Sequence, residues 1–487
     1  MKPLSWINVP PPVGDQGWLP DKLRGLDMVR KVSAFIWGLG LPLAAVLVQV
    51  RPAHAIPAFA QQTGQPCAAC HIGAFGPQLT PLGRAFKIGG YTQGGGDGLA
   101  AKIPLSVMIQ GSFNNTGVAQ NPAPQHYDTN NNYSLDQISI FLGGHIGEHV
   151  GGLMQFTWSD YDNTVVVDNM DLRPYTTTFN LGDKELRVGT TVNNNPTVQD
   201  PFNTTPAWGF PYYVSKLGPT PAASTMLSGG FSGNSVGTTA YAWYDNKLYL
   251  EGGVYNSFSP WVLARFGQDY VAGATTSPAP YLRAAYEWQW GTSDAFVGAI
   301  FMHADANPPS GVPQQATNAF GADHYTDYAF DAGYQFLGDG THIVTAQAIY
   351  TYEDQNLNGS AGLNGIGQSH YSLNQLHVDV AYWYKNTYGL TLGWQHSWGP
   401  ADPVLYAASG AMSANNNNKP DSNAFIVEAD WVPFGKDDSP LAPFLNLKLG
   451  LQYTAYTEFN GGSSNYGGAG GHASDNNLLM AYAWLMF

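Results

Sequence analysis

Beyond residue 100 apolar and polar residues alternate in stretches of roughly 10 residues, the period of a strand with two unlike faces. Leu445, Leu447, Leu449, Leu451 and Tyr453 fall on one face, and Asn446, Lys448, Gly450, Gln452 and Thr454 on the other. Leu282, Ala284, Tyr286, Trp288 and Trp290 oppose Tyr281, Arg283, Ala285, Glu287 and Gln289, and Tyr328 to Phe336 repeats the pattern against Asp327, Ala329, Asp331, Gly333 and Gln335. Connections alternate in length. Short turns are expected at Gly144–Gly147, Leu181–Asp183, Asp245-Asn246, Gly291–Ser293, Gly338–Gly340 and Lys385–Tyr388, with a longer one at Gly435–Leu441. Long polar loops are expected around 115–132, 192–235, 257–277, 304–322, 355–369, 399–422 and 459–474. The tally is 16 strands, and an even number returns both ends of the cylinder to one side of the membrane. The pattern predicts an all-β fold, a 16-stranded antiparallel transmembrane β-barrel over residues 101–487.

The same alternation would suit a soluble sandwich with one wet face. The alternating loop lengths and the C-terminal strand favour the membrane. Leu479, Ala481, Ala483, Leu485 and Phe487 share the predicted lipid-facing side, and an aromatic C-terminus resembles the signal read by the outer-membrane barrel-assembly machinery. This strand is expected to pair with the first, near Ile103–Phe113, so that no edge is left open in lipid. Composition agrees. Aromatic residues make up 13% and charged residues only 11%, against about a quarter charged in an ordinary soluble domain. A net charge of −15 argues against nucleic acid as a partner.

The first 55 residues read as an address. Arg30 and Lys31 precede an apolar run from Val32 to Val50, and Ala53-His54-Ala55 places small residues where a signal peptidase cuts. Cleavage is expected after Ala55. Residues 1–27 precede Met28, where such a peptide would ordinarily begin. The mature chain is expected outside the cytoplasm, in the outer membrane.

The remaining segment, 56–100, carries the chemistry. Cys67-Ala68-Ala69-Cys70-His71 has the spacing of a c-type haem attachment site. Two thiols add to the porphyrin vinyl groups, and the adjacent histidine reaches the iron. A zinc site would need more ligands than the two cysteines of the chain provide, and a thioredoxin-like dithiol would need a βαβ context that is missing. Cys67, Cys70 and His71 are therefore the expected haem-binding residues, with His71 as the metal ligand. The segment is too short for a sizeable core, so Phe59, Phe75, Leu79, Leu82, Phe86 and Ile88 are expected against the porphyrin. Thr80 should cap a helix over Pro81–Lys87 that Gly89-Gly90 ends, and Gly94-Gly95-Gly96 should link to the barrel. No sixth ligand stands out. Met108, His145, His149 and Met154 are nearest in sequence, each alone more often an ordinary strand or turn residue. Asp323, Asp327 and Asp331 recur on the inferred lumen side, where they would attract cations or simply supply lumen polarity.

Pro57-Ala58-Phe59-Ala60-Gln61-Gln62-Thr63-Gly64, the Cys67–His71 motif, Leu79-Thr80-Pro81-Leu82-Gly83-Arg84-Ala85-Phe86-Lys87 and Gly90-Tyr91-Thr92 resemble the fused outer-membrane cytochrome–porin iron oxidases, in a size class like that of acidophiles. The resemblance implies one haem c, oxidation of extracellular Fe(II), and passage of single electrons to a periplasmic acceptor. That acceptor would be a rusticyanin-type copper protein or a c-type cytochrome. Two other readings remain: a solute porin whose haem segment is a plug or sensor, and a conduit for another extracellular donor, such as a sulfur compound or an electrode.

Overall fold

The computed structural model describes residues 58–96, 104–266, 274–308, 321–406, 417–436, 439, 441, 444–464 and 471–487. The expected address region, 1–55, lies outside them, as does part of the link between 96 and the barrel.

Sixteen antiparallel strands close into one barrel. Seven hairpins with short turns form most of the wall: β2 (Asn132–Gly147) with β3 (Val150–Trp158), β4 (Val165–Leu181) with β5 (Lys184–Asn193), β6 (Ser235–Tyr244) with β7 (Leu248–Ser257), and β8 (Ala279–Trp290) with β9 (Ser293–Ala306). They continue with β10 (Asp323–Phe336) and β11 (His342–Asn356), β12 (His370–Tyr384) and β13 (Tyr388–Trp398), and β14 (Ser422–Trp431) and β15 (Asn446–Glu458). The first strand, β1 (Leu105–Thr116), pairs with the last, β16 (Leu478–Met486), from Met108 opposite Met486 to Thr116 opposite Leu478. The expected order, parity and turn positions are therefore observed. Two details differ. β2 runs through Gly147, so that its turn is Glu148-His149, and a register shift between Gln110 and Ser112 lets β1 and β2 stay paired across an irregularity.

The outer face is apolar and the inner face polar. Phe330 is 60% exposed and Leu392 54%, while Arg173, Arg283, Asp327 and Glu353 are buried. In water that arrangement would leave a broad apolar surface uncovered; in a bilayer it is the expected contact with lipid. Trp288, Trp290, Tyr334, Tyr384, Tyr388 and Trp431 lie exposed near the short-turn end, as an interfacial girdle requires. The protein is thus an outer-membrane β-barrel. Its short turns and both ends of the strand order mark the periplasmic side, and its long loops the extracellular side.

Candidate functional site

The lumen is occupied from both ends. From the short-turn end it holds residues 58–96, built of α1 (Ala58–Thr63), α2 (Cys67–Cys70), a 3-10 turn at Ile72–Ala74 and α3 (Pro81–Ile88). From the other end the loop 194–234, between β5 and β6, folds inward. Tyr213 and Ser215 hydrogen-bond Asp136, and the amides of Met226 and Leu227 donate to Glu353 and Asp327.

The motif itself is one helical turn. Cys67 and Cys70 stand three residues apart on it, and the Cys67 carbonyl accepts the His71 amide at 2.9 Å. Thr80 holds the turn to α3: its amide donates to the Cys70 carbonyl at 2.9 Å, its hydroxyl donates to the Ala69 carbonyl at 2.6 Å, and the same oxygen accepts the Gly83 amide as the α3 cap. Gly83 allows this approach, because a Cβ there would lie 2.4 Å from the Cys70 carbonyl oxygen. α3 spans Pro81–Ile88, one residue beyond the expected end.

Contacts with the wall fix the segment's depth. At the short-turn mouth, the Ala68 amide donates to Gly435, the Gly73 amide to the Asn386 side chain at 2.9 Å, and Asn446 to the Ala74 carbonyl at 2.6 Å. Deeper in, Arg84 is bound by Glu287 at 2.9 Å and by Asp294. Lys87 donates to the carbonyls of Val198 and Asp200, both at 2.7 Å, and to Asn203 at 3.1 Å. These last partners belong to the inward loop, so the two insertions meet within the barrel. Arg283 then bridges Asp200 of the loop and Asp331 of β10.

The residues expected to touch a porphyrin are distributed differently from one another. Phe59 stacks on Tyr91 and meets Phe86 edge-on, both with centroids 5.1 Å apart. Phe75 packs against Trp484, Ile88 joins the cluster of Phe202, Tyr241 and Tyr249, Leu79 is buried, and Leu82 is exposed. Much of the apolar surface of this segment thus docks it on the wall and the inward loop.

Cys67, Cys70 and His71 are half-buried, bordering open space although protein surrounds them. Burial raises the Cys67 thiol above its usual range, and burial together with neighbouring Cys67 pushes Cys70 up to about 11. Thiols so disposed are poor redox nucleophiles, which need a lowered value. Burial lowers His71, with the nearby Gly76 backbone opposing it, so the imidazole is held neutral. Its Nδ1 is buried without a well-formed hydrogen bond. A metal-bound imidazole commonly turns its second nitrogen toward a backbone carbonyl, and the approach of Gly76 suits that. The donor set and its surroundings fit a thioether-linked haem with His71 as axial ligand.

Of the sixth-ligand candidates, only Met108 faces this region: it lies in one apolar cluster with Ile72 and Phe75. Met154 alternates with inward-facing Gln155, placing it on the outer parity, and His149 Nδ1 engages the Thr176 carbonyl. His145 is exposed at the mouth, where its amide donates to Gln62. Met480 shares the Met108 cluster and Met486 packs against it. Both were missed by proximity in sequence, although pairing the last strand with the first would have pointed to them. Asp323, Asp327 and Asp331 do face inward, and each already has partners: Ser360 binds Asp323, the Leu227 amide of the inward loop binds Asp327, and Thr204 of that loop and Arg283 of β8 bind Asp331.

The geometry defines a class: an outer-membrane barrel whose lumen is entered by the segment 58–96 and by an inward loop that meet inside it. No family model matches the chain, and no curated protein matches it. Among solved structures it is similar to OmpT of Vibrio cholerae at 9% identity and a TM-score of 0.41, covering 79% of this chain and 98% of that one. The channel DcaP of Acinetobacter baumannii gives 12% and 0.43 over 79% and 96%, and OmpF of Salmonella typhi 11% and 0.43 over 79% and 97%. Likeness at this level says nothing of what the present chain carries.

Proposed function

We propose that the protein carries one haem c on Cys67 and Cys70 with His71 as axial ligand, and that it relays single electrons from extracellular Fe(II) to a periplasmic acceptor. The overall change is one-electron: Fe(II) leaves as Fe(III), and a carrier of the copper-protein or c-type cytochrome class takes the electron. The observation that carries the reading is the Cys67–His71 turn, pinned inside the barrel mouth by Thr80, Asn386, Gly435 and Asn446. A haem would supply a one-electron couple whose potential is set by its axial ligands and burial. The chain's own residues do the placing. His71, held neutral, offers a nitrogen; Thr80 and Gly83 fix the turn; Arg84 and Lys87 anchor it against carboxylates and carbonyls that would otherwise be left unpaired in the lumen. The loop 194–234 narrows the water path from outside. Because a hydrocarbon layer of about 30 Å separates the two compartments, a relay group seated within the lumen lies nearer the extracellular donor than one beneath the membrane.

The resemblance of residues 57–92 to the fused cytochrome–porin iron oxidases supports Fe(II) as donor. The test is rapid mixing of the purified, oxidised protein with Fe(II) while its haem absorption is followed. Reduction is expected in the wild type, together with a porphyrin mass on the polypeptide that the Cys67→Ser, Cys70→Ser double variant lacks. A polypeptide lacking that mass, or a haem that stays oxidised, overturns the reading. The barrel also suits a solute porin with a haem-bearing plug; sizeable conductance through the intact protein would favour that alternative.

A further inference from the structure

The register of β9 and β10 builds a second cluster on the outer wall at the extracellular rim. Three rungs follow one another: Asp305 opposite His324, His303 opposite Thr326, and Phe301 opposite Tyr328. The Phe301 and Tyr328 rings, 5.5 Å apart, face outward in the aromatic zone, so the two rungs above them stand where the wall leaves the hydrocarbon. His303 Nε2 lies 3.2 Å from Asp305 Oδ1, and His324 Nδ1 lies 2.5 Å from the same oxygen. One ligand atom from each of the three residues falls within 4.8 Å of the others.

Two further polar atoms of the cluster are engaged elsewhere. Thr326 Oγ1 contacts His303 Nδ1 at 2.9 Å, which leaves Nε2 for a ligand, and the Ser277 hydroxyl donates to Asp305 Oδ2 at 2.8 Å, which leaves Oδ1. Such outer contacts orient first ligands in metal sites. The side chains are 35%, 24% and 42% exposed, so other coordination positions open to solvent.

From this geometry we infer that His303, Asp305 and His324 form a binding site for a divalent first-row transition-metal ion at the extracellular rim. Two imidazoles and one carboxylate suit Fe(II), Co(II), Ni(II) or Zn(II), whereas Mg(II) and Ca(II) prefer all-oxygen sites. A bound ion would tie the ends of β9 and β10 together at the base of the loop 307–322. The site lies on the outer wall and Cys67–His71 inside it, so the two readings rest on separate measurements.

The test is calorimetric titration of tag-free, full-length protein in detergent with Zn(II), at neutral pH because the ligands must be unprotonated. One Zn(II) per chain is expected at this site, with His303→Asn, Asp305→Asn and His324→Asn each weakening binding about tenfold or more, and Thr326→Val weakening it less. Heat-modifiable gel mobility checks that every variant retains its barrel. Wild-type binding no tighter than that of the His303→Asn, His324→Asn double variant overturns the site. Displacement of Zn(II) by equimolar Mg(II) or Ca(II) overturns the assigned metal class.

Discussion

Gly83 and Arg84 are neighbours with different duties, and each makes a distinct prediction. Alanine at Gly83 would drive a Cβ against the Cys70 carbonyl, and overpacking of this kind costs about 1–3 kcal/mol. The expected result is faster proteolysis between residues 64 and 96 in the folded protein, with barrel mobility on gels unchanged. Arg84→Ala leaves Glu287 and Asp294 buried without their cation, a loss of about 3–5 kcal/mol where a buried pair is broken from one side. It should release the same segment more completely, and Arg84→Lys should restore only part of the protection, because one ammonium cannot reproduce the guanidinium fork that also reaches the Leu79 carbonyl. The Thr80 cap and the end of α3 were legible in sequence because capping is decided within a few residues. The partners of Arg84 were not, for they lie 203 and 210 positions along the chain, and only barrel closure brings them near.

Strands were the most legible elements, since a period of two reads directly as lipid face and lumen face. Loops were the least. A polar run such as 194–234 has the same composition whether it stands in solvent or lines a lumen, so its inward fold left no mark beyond its length. Loop 399–421 supplies a prediction at this scale. The Asp402 carboxylate accepts from Tyr371 Oη at 2.5 Å and from the amides of Gly367, Leu405 and Val404 at 2.7, 2.7 and 2.8 Å. Burial alone would raise its pKa, but these donors outweigh it and hold the group below the usual carboxylate range. A depressed carboxylate stabilises the folded loop fully above its unfolded value, about 4, and loses that contribution as pH falls through the folded one. Asp402→Asn should therefore cost about 2 kcal/mol, seen as faster amide exchange at Val404 and Leu405. The wild type should show the same acceleration, beyond the intrinsic effect of pH, only when acidified below the ordinary carboxylate range.

At the scale of the whole molecule, two insertions that meet at Lys87 should leave little room for ions. In planar bilayers the intact protein is expected to conduct far less than an open barrel of 16 strands, and the Arg84→Ala, Lys87→Ala double variant should conduct more. Porin-like conductance of the wild type would mean that segment and loop do not seal the lumen. The sequence made the cylinder readable but not its seal: the outer wall repeats a pattern, whereas the seal is a set of single contacts between Arg84, Lys87, Asp200, Asn203 and Arg283. The seating of Cys67 and Cys70 also orders events in time. In a finished ring both sulfurs are half-buried at the mouth, where Asn386 and Gly435 already hold the motif that a maturation enzyme must grip. A covalent group is therefore expected to be joined faster while the chain is still an open ribbon, before Met108 and Met486 come side by side and the cylinder shuts.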